Sequence, residues 1–117
     1  MKDVQKFLEI LKIELKDVQD DKKAMIDAMG ECLQREQCTE YVCKENSALY
    51  RMEIDSINDF LREIDHRGAQ YTSVQDAVDD IQKFLPGKVE KWNYPKFMIE
   101  LIERKVHMIL GFMNDLG

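Results

Sequence analysis

The three cysteines of the chain lie close together, in the segment ECLQREQCTEYVCKEN. On one unbroken helix Cys38 would point away from Cys32 and Cys43, because spacings of six and five residues rotate a side chain by about 240° and about 140°. Cys32 and Cys43 would return to nearly the same face but would lie about 16 Å apart along the helix axis. Zinc needs sulfur ligands about 2.3 Å from one ion, and this spacing matches no common zinc or iron–sulfur pattern. We therefore interpret the cysteines as small apolar residues of a helical core. Cys38 is the candidate for an exposed, reactive thiol.

Two Glu/His pairs form the second candidate for chemistry. Carboxylate-bridged di-iron bundles place a Glu-x-x-His pair on each of two helices, and Glu63 and His66 have this spacing. Glu103 and His107 are one residue further apart but remain on one side of a helix. Metal ligands in a bundle point inward, whereas both histidines fall on polar stripes. A metal-binding or redox protein using these residues or the cysteines is therefore the alternative interpretation, and we expect no cofactor.

A third possibility is a helical, Mg²⁺-dependent nucleotide hydrolase built on Asp76, Asp79 and Asp80. All-helical nucleotide hydrolases hold Mg²⁺ with closely spaced carboxylates on facing helices. Asp79 and Asp80 lie on the polar side of a short helix, and Asp76 suits its first turn. Because no Lys or Arg cluster is available to receive phosphates, a solvated helix face is the favoured interpretation.

The last segment, PKFMIELIERKVHMILGFMNDLG, is apolar around most of the circumference of a helix. A helix packed on one side needs an apolar stripe of only about 100°. This helix must therefore be central in the bundle or bury a second side against another chain. We expect the interface to use Phe97, Leu101, Met108 and Phe112.

The spacing of apolar residues predicts the helices that carry these candidates. A coiled-coil-like 4-3 rhythm in the first helix is broken only by Lys22, and its members are Val4, Leu8, Leu11, Leu15, Val18, Met25, Met29 and Cys32. The rhythm decays between residues 36 and 47, so we expect the chain to turn there. Thr39 or Asn46–Ser47 would cap the next helix, and Gly30 is a possible earlier end of the first.

The remaining boundaries follow from turn and cap residues. The second helix, with Leu49, Met52 and Ile57 on its apolar face, should end before Gly68. Ser73 should cap the third helix, Pro86-Gly87 should form a turn, and Pro95 should occupy the first position of the last helix. The predicted fold is all-α: an irregular four-helix bundle (long, long, short, long) in a single domain over residues 1–117.

Composition limits the possible functions. Of the 117 residues, 44% are apolar and 34% charged, which is typical of a globular domain. No apolar run of about eighteen residues is present, so no membrane span is expected. The net charge of −6 disfavours nucleic acid and anionic membrane surfaces as partners. The charged N-terminus is expected to be the first helix rather than a signal peptide, and the odd number of cysteines predicts reduced thiols in the cytoplasm.

Together these patterns predict a non-enzymatic protein–protein interaction module, such as an adaptor, a regulator or a small chaperone-like binder. It would act by burying apolar helix faces against another protein, first of all against a second copy in a homodimer.

Overall fold

The computed structural model describes the backbone of residues 2–116 and the side chains of residues 3–114. It contains four helices: α1 (Lys2–Gln34), α2 (Glu40–Arg67), α3 (Val74–Lys91) and α4 (Phe97–Leu116), with a 3₁₀ turn at Gly68–Gln70 between α2 and α3. None of the described residues forms a β-strand. The prediction of an all-α, irregular four-helix bundle is confirmed. Over the described range, no helix is both long enough and apolar enough to cross a membrane.

All four helices contribute to one apolar core, but they do so unequally. The core members of α1 end at Leu15 and those of α2 begin at Ile57, although both helices extend much further towards the turn that joins them. The buried core residues are Val4, Phe7, Leu8, Leu11, Leu15, Ile57, Phe60, Leu61, Ile64, Tyr71, Ala77, Val78, Ile81, Leu85, Val89, Met98, Leu101, Ile102, Val106 and Ile109.

The turn between α1 and α2 lies at the start of the predicted window. Glu36 adopts a left-handed conformation with φ 57°, and the amides of Glu36 and Gln37 donate to the carbonyls of Leu33 and Cys32 at 3.1 and 2.9 Å. These two bonds form a Schellman motif, which ends a helix. Thr39 then caps α2, since its hydroxyl oxygen accepts from the amide of Val42 at 3.2 Å. Of the alternative boundaries, Gly30 lies inside α1 and Asn46–Ser47 lies inside α2.

The expected turn at Pro86-Gly87 is wrong, because α3 continues through both residues to Lys91. Its actual end is a second Schellman motif, in which Asn93 has φ 56° and the amide of Tyr94 donates to the carbonyl of Val89 at 3.0 Å. Pro86 is exposed, and the helix beyond it is stabilised because Val89 is buried in the core. Burial of one apolar residue on the next turn offsets part of the roughly 3 kcal/mol that an interior proline costs.

Two of the other predicted boundaries are confirmed and one is shifted. Ser73 caps α3 by accepting from the amide of Asp76 at 3.0 Å, and α2 ends at Arg67, just before Gly68. Pro95 is not the first residue of α4: the helix begins two residues later, at Phe97. The intervening residues form a tighter turn, in which the amide of Met98 donates to the carbonyl of Pro95 at 3.1 Å.

Candidate functional site

Beyond the core, α1 and α2 continue side by side as a two-helix hairpin that we call the arm, residues 20–53. α3 and α4 are shorter than α1 and α2, with 18 and 20 residues against 33 and 28. The molecule is correspondingly elongated, measuring 53 × 33 × 19 Å along its principal axes. The arm is thus the part of the chain in which only two helices pack together.

A polar cluster marks the boundary between the bundle and the arm. Lys22 Nζ lies 2.7 Å from Glu53 Oε2, and it also lies 5.4 Å from the ring centroid of Tyr50 and 5.6 Å from that of Phe97. Next to it, the amide nitrogen of Gln19 donates to the carbonyl of Ile54 at 3.0 Å. Lys22, the residue that interrupts the apolar rhythm of α1, therefore forms an ion pair with α2, close to the first residue of α4.

The arm carries exposed apolar side chains on the side that α3 and α4 cover further along the bundle. On α2, Leu49 and Val42 lie about three and about five helical turns before Phe60, whose ring stacks on Phe84 of α3 at 6.0 Å. On α1, Met25 lies about three turns after Glu14, which accepts a hydrogen bond from Lys105 of α4. The exposed members of this face are Met25, Val42, Leu49 and Met52, each 44–47% exposed.

The sequence pattern placed Met25, Leu49 and Met52 on the apolar faces of their helices, and the structure shows that all three are exposed. Met25 follows the rhythm of α1, and Met52 follows that of α2, as core residues would. Their faces are uncovered because α3 and α4 end before the arm. The signal that was available is length: two 18–20-residue helices cannot cover a hairpin of 33 and 28 residues.

The four residues expected to form an interface on α4 fall into different environments. Leu101 is buried in the core of the single chain at 4% exposure, so it is not available as an anchor. Phe97 is half-buried against the core next to Lys22. Met108 and Phe112 are about half exposed and lie one helical turn apart. Only these two remain candidates for contact with another chain.

The cysteines are not three core thiols. Cys38 and Cys43 form a disulfide across the start of α2, with their Cα atoms 6.8 Å apart, while Cys32 is a half-buried free thiol. Cys38 is therefore not the exposed, reactive thiol that we expected. The expectation assumed a continuous helix, and the turn ahead of Thr39 brings Cys38 back towards the first turn of α2. Only Cys43 is buried as predicted, with its sulfur 3.3 Å from the carbonyl oxygen of Met29.

The two Glu/His pairs are not brought together into one site. Glu63 accepts a hydrogen bond from Arg67 Nε at 2.6 Å on the side of α2 that faces α3. Glu103 and His107 line the opposite side of α3, in a groove between α3 and α4. His66 and His107 are both exposed. Across the described residues, no group of three or more His, Cys, Asp or Glu side chains is placed to hold a metal ion.

The three aspartates proposed for Mg²⁺ also have separate partners. Asp76 accepts from the amide of Thr72 at 3.0 Å, in the first turn of α3. Asp79 accepts from the side-chain amide of Gln75 at 2.8 Å. Asp80 faces α2 and accepts from Arg67. These carboxylates point to different neighbours, and the structure does not gather them in a cleft.

The C-terminal turn of α2 is joined to α3 by a charged network around Arg67. Its guanidinium contacts Glu63 at 2.6 Å and Asp80 at 3.2 Å and lies 4.3 Å from the ring centroid of Phe84. The hydrogen bond from Arg67 holds the pKa of Glu63 below its ordinary value. The pKa of Tyr71 is raised, mainly because the ring is buried and secondly because its hydroxyl donates a 2.6 Å hydrogen bond to Asp80. Because these charged and polar groups pair with one another, we interpret the network as a contact that holds α2 against α3 rather than as a binding site.

Comparison of the chain with protein-family models, with curated proteins and with solved structures gave no match.

Proposed function

We propose that this chain is a non-enzymatic protein–protein interaction module whose arm forms a homodimer. The observation that supports this proposal is the uncovered apolar face of the arm, which carries Met25, Val42, Leu49 and Met52. In the bundle, the equivalent face of the same two helices is covered by two antiparallel helices. Patches of clustered apolar side chains on a protein surface are typical of binding sites.

A second copy of the chain suits this face because it supplies the same kind of cover. Two arms laid face to face place two antiparallel helices against two others, which repeats locally the four-helix arrangement of the bundle. A two-fold axis through the contact lets Leu49 and Met52 of one copy pack against the same face of the other. Methionine side chains adapt readily to such a contact.

The size of the face sets the expected strength of the dimer. The free part of α1 in the arm, residues 23–34, is about 18 Å long, and two helices side by side are about 20 Å wide. Two such faces together bury roughly 700 Å², which is below the standard size of a specific interface and typical of weak, transient complexes. We therefore expect a reversible dimer with a Kd in the micromolar range.

Sedimentation velocity of the variant Leu49→Glu/Met52→Glu tests this proposal. We expect the wild-type chain to change from monomer to dimer between about 1 and 300 μM, and the variant to remain a monomer with an unchanged circular dichroism spectrum. Ile13→Glu is the control, because Ile13 is also an exposed apolar residue of α1 but lies outside the arm and on another face of the helix. Its dimerisation should equal that of the wild type.

Two outcomes would contradict the proposal. If the wild-type chain stays monomeric over this range, a second copy is not the occupant of the arm. If Leu49→Glu/Met52→Glu dimerises normally and Phe112→Glu does not, the dimer uses Met108 and Phe112 of α4 instead.

The compartment is linked to the state of the cysteines. The cytoplasmic location remains our expectation from the sequence, but stable disulfides are rare in reducing compartments. Trapping of thiols in intact cells, followed by mass spectrometry of the isolated chain, separates the two cases. Three blocked thiols indicate a reducing compartment such as the cytoplasm, and a single blocked thiol at Cys32 indicates an oxidising one.

A further inference from the structure

A continuous groove runs between α3 and α4, on the side of the molecule opposite to the Arg67 network. One part has a volume of 380 Å³ and an apolar floor formed by Val78, Ile81, Leu85, Val106 and Leu110. A second part, of 650 Å³, lies towards the connection between the helices and is lined by Val89, Tyr94 and Ile99. Both parts share Pro86 and Glu103, so they form one groove.

The rim of this groove is acidic. Glu90, Glu100 and Glu103 line it and are exposed, and Lys96 is the one basic residue beside them in the described part of the chain. No basic side chain among residues 3–114 forms an ion pair with any of the three. Elsewhere in the bundle, by contrast, the carboxylates of Glu63 and Asp80 are neutralised by Arg67. The groove thus combines an apolar floor with a rim that carries three carboxylates and one lysine, and so has a net negative charge.

The backbone of α3 adds a further hydrogen-bond acceptor to the groove wall. Pro86 has no N–H, so the carbonyl of Gln82, one turn earlier, lacks the donor that a regular helix would supply. Gln82 and Pro86 both line the groove. A partner with N–H donors would satisfy this carbonyl as well as the carboxylates.

We propose that this groove binds a basic amphipathic helix of a partner protein. The apolar stripe of the partner would lie on the floor of the groove, and its Lys or Arg side chains would pair with Glu90, Glu100 and Glu103. This is the helix-in-groove mode of recognition. Residues 97–110 of α4 span about 20 Å, which matches a helix of about 14 residues.

Charge complementarity with the acidic rim favours a basic partner protein over a second copy in this groove. The chain has a net charge of −6, so a second copy would bring further acidic residues to an acidic rim. The groove is also distinct from the arm. An experiment that tests binding in the groove therefore does not test dimerisation through the arm, and the reverse also holds.

Fluorescence anisotropy with a designed peptide tests the proposal. The probe is an 18-residue, fluorescein-labelled peptide with Leu at i, i+3, i+4 and i+7 spacing and Lys on both flanks of the apolar stripe. A scrambled peptide of the same composition, without helical periodicity, is the reference. We expect the ordered peptide to bind with a micromolar Kd and the scrambled one to bind at least tenfold more weakly.

The site is tested with paired variants of equal charge. Glu100→Gln/Glu103→Gln removes two rim charges and should raise the Kd about tenfold, since each exposed ion pair contributes a factor of about three. Asp17→Asn/Asp20→Asn removes two charges from exposed positions of α1 and should change the Kd less than twofold. The Leu49→Glu/Met52→Glu variant, whose change lies in the arm, should bind the peptide like the wild type.

Three outcomes would overturn the proposal. Equal binding of the ordered and scrambled peptides, or equal weakening by the two charge variants, would show only a general attraction between an acidic protein and a basic peptide. Absence of binding at 500 μM chain would show that the groove does not accept such a helix. Each outcome leaves the dimer of the arm unaffected.

Discussion

Lys22 Nζ lies 2.7 Å from Glu53 Oε2, and this pair joins α1 to α2 where the four-helix bundle gives way to the two-helix arm. Glu53 is buried, and Lys22 lies between the rings of Tyr50 and Phe97. The ion pair therefore belongs both to the bundle, through the first residue of α4, and to the arm.

The first prediction concerns this pair. Lys22→Met leaves a buried carboxylate without its partner and should lower the free energy of unfolding by about 2–3 kcal/mol. The double variant Lys22→Met/Glu53→Leu removes both charges and should recover to within about 1 kcal/mol of the wild type. Urea denaturation followed by circular dichroism measures both. Equal stability of Lys22→Met and the wild type would mean that the pair contributes nothing.

The second prediction concerns the left-handed residue that ends α1. Glu36 has φ 57°, a conformation that glycine adopts without steric cost. Glu36→Gly should therefore raise the free energy of unfolding by about 1 kcal/mol and the Tm by about 4 °C. Glu31→Gly, a change of the same type inside α1, should lower stability by about 1 kcal/mol. A loss of stability in Glu36→Gly would show that the turn is not a Schellman motif.

The third prediction concerns the pH dependence of stability. Arg67 lowers the pKa of Glu63 in the folded chain. The ionised pair therefore stabilises the fold above the ordinary pKa of a glutamate, and this stabilisation is lost as the pH falls through the pKa that Glu63 has in the folded chain. Glu63→Gln should therefore cost about 1 kcal/mol at pH 7 and almost nothing near pH 2. Denaturation at both pH values measures the difference. An equal cost at both would exclude the ionised pair as its cause.

The fourth prediction concerns the cysteines. The purified chain, unfolded without reductant and treated with an alkylating reagent, should gain one label, at Cys32. After reduction it should gain three. Peptide mass spectrometry identifies the labelled residues, and three labels before reduction would contradict the Cys38–Cys43 bond of the purified chain.

Local sequence signals predicted the helices well where the chain supplied a strong cap. Thr39, Ser73 and Gly68 mark boundaries that the structure also has, because hydrogen bonds of a few neighbouring residues decide them. The end of α3 was mispredicted for the opposite reason. Pro86 disfavours the helix locally, but burial of Val89 against residues distant in sequence outweighs this effect. The helix then ends at Asn93, which adopts a left-handed conformation that asparagine tolerates but does not require.

The candidate sites were less predictable because they depend on where helices end in space. Periodicity placed Met25 and Met52 on apolar faces but could not show that α3 and α4 stop before covering them. The Cys38–Cys43 bond depends on a turn whose position within residues 36–47 was left open. The groove between α3 and α4 depends on the separation of two helices, which no spacing within either helix encodes.

Methyl NMR of the chain carrying ¹³C-methyl methionine tests the central claim most directly, because the arm is rich in methionine. We expect the resonances of Met25 and Met52 to shift as the concentration rises from 10 μM to 1 mM, with the resonance of the buried Met98 unchanged. Single Met→Leu replacements assign the signals. Resonances of Met25 and Met52 that do not change with concentration, or a shift confined to Met108, would contradict the proposal that the arm forms the dimer.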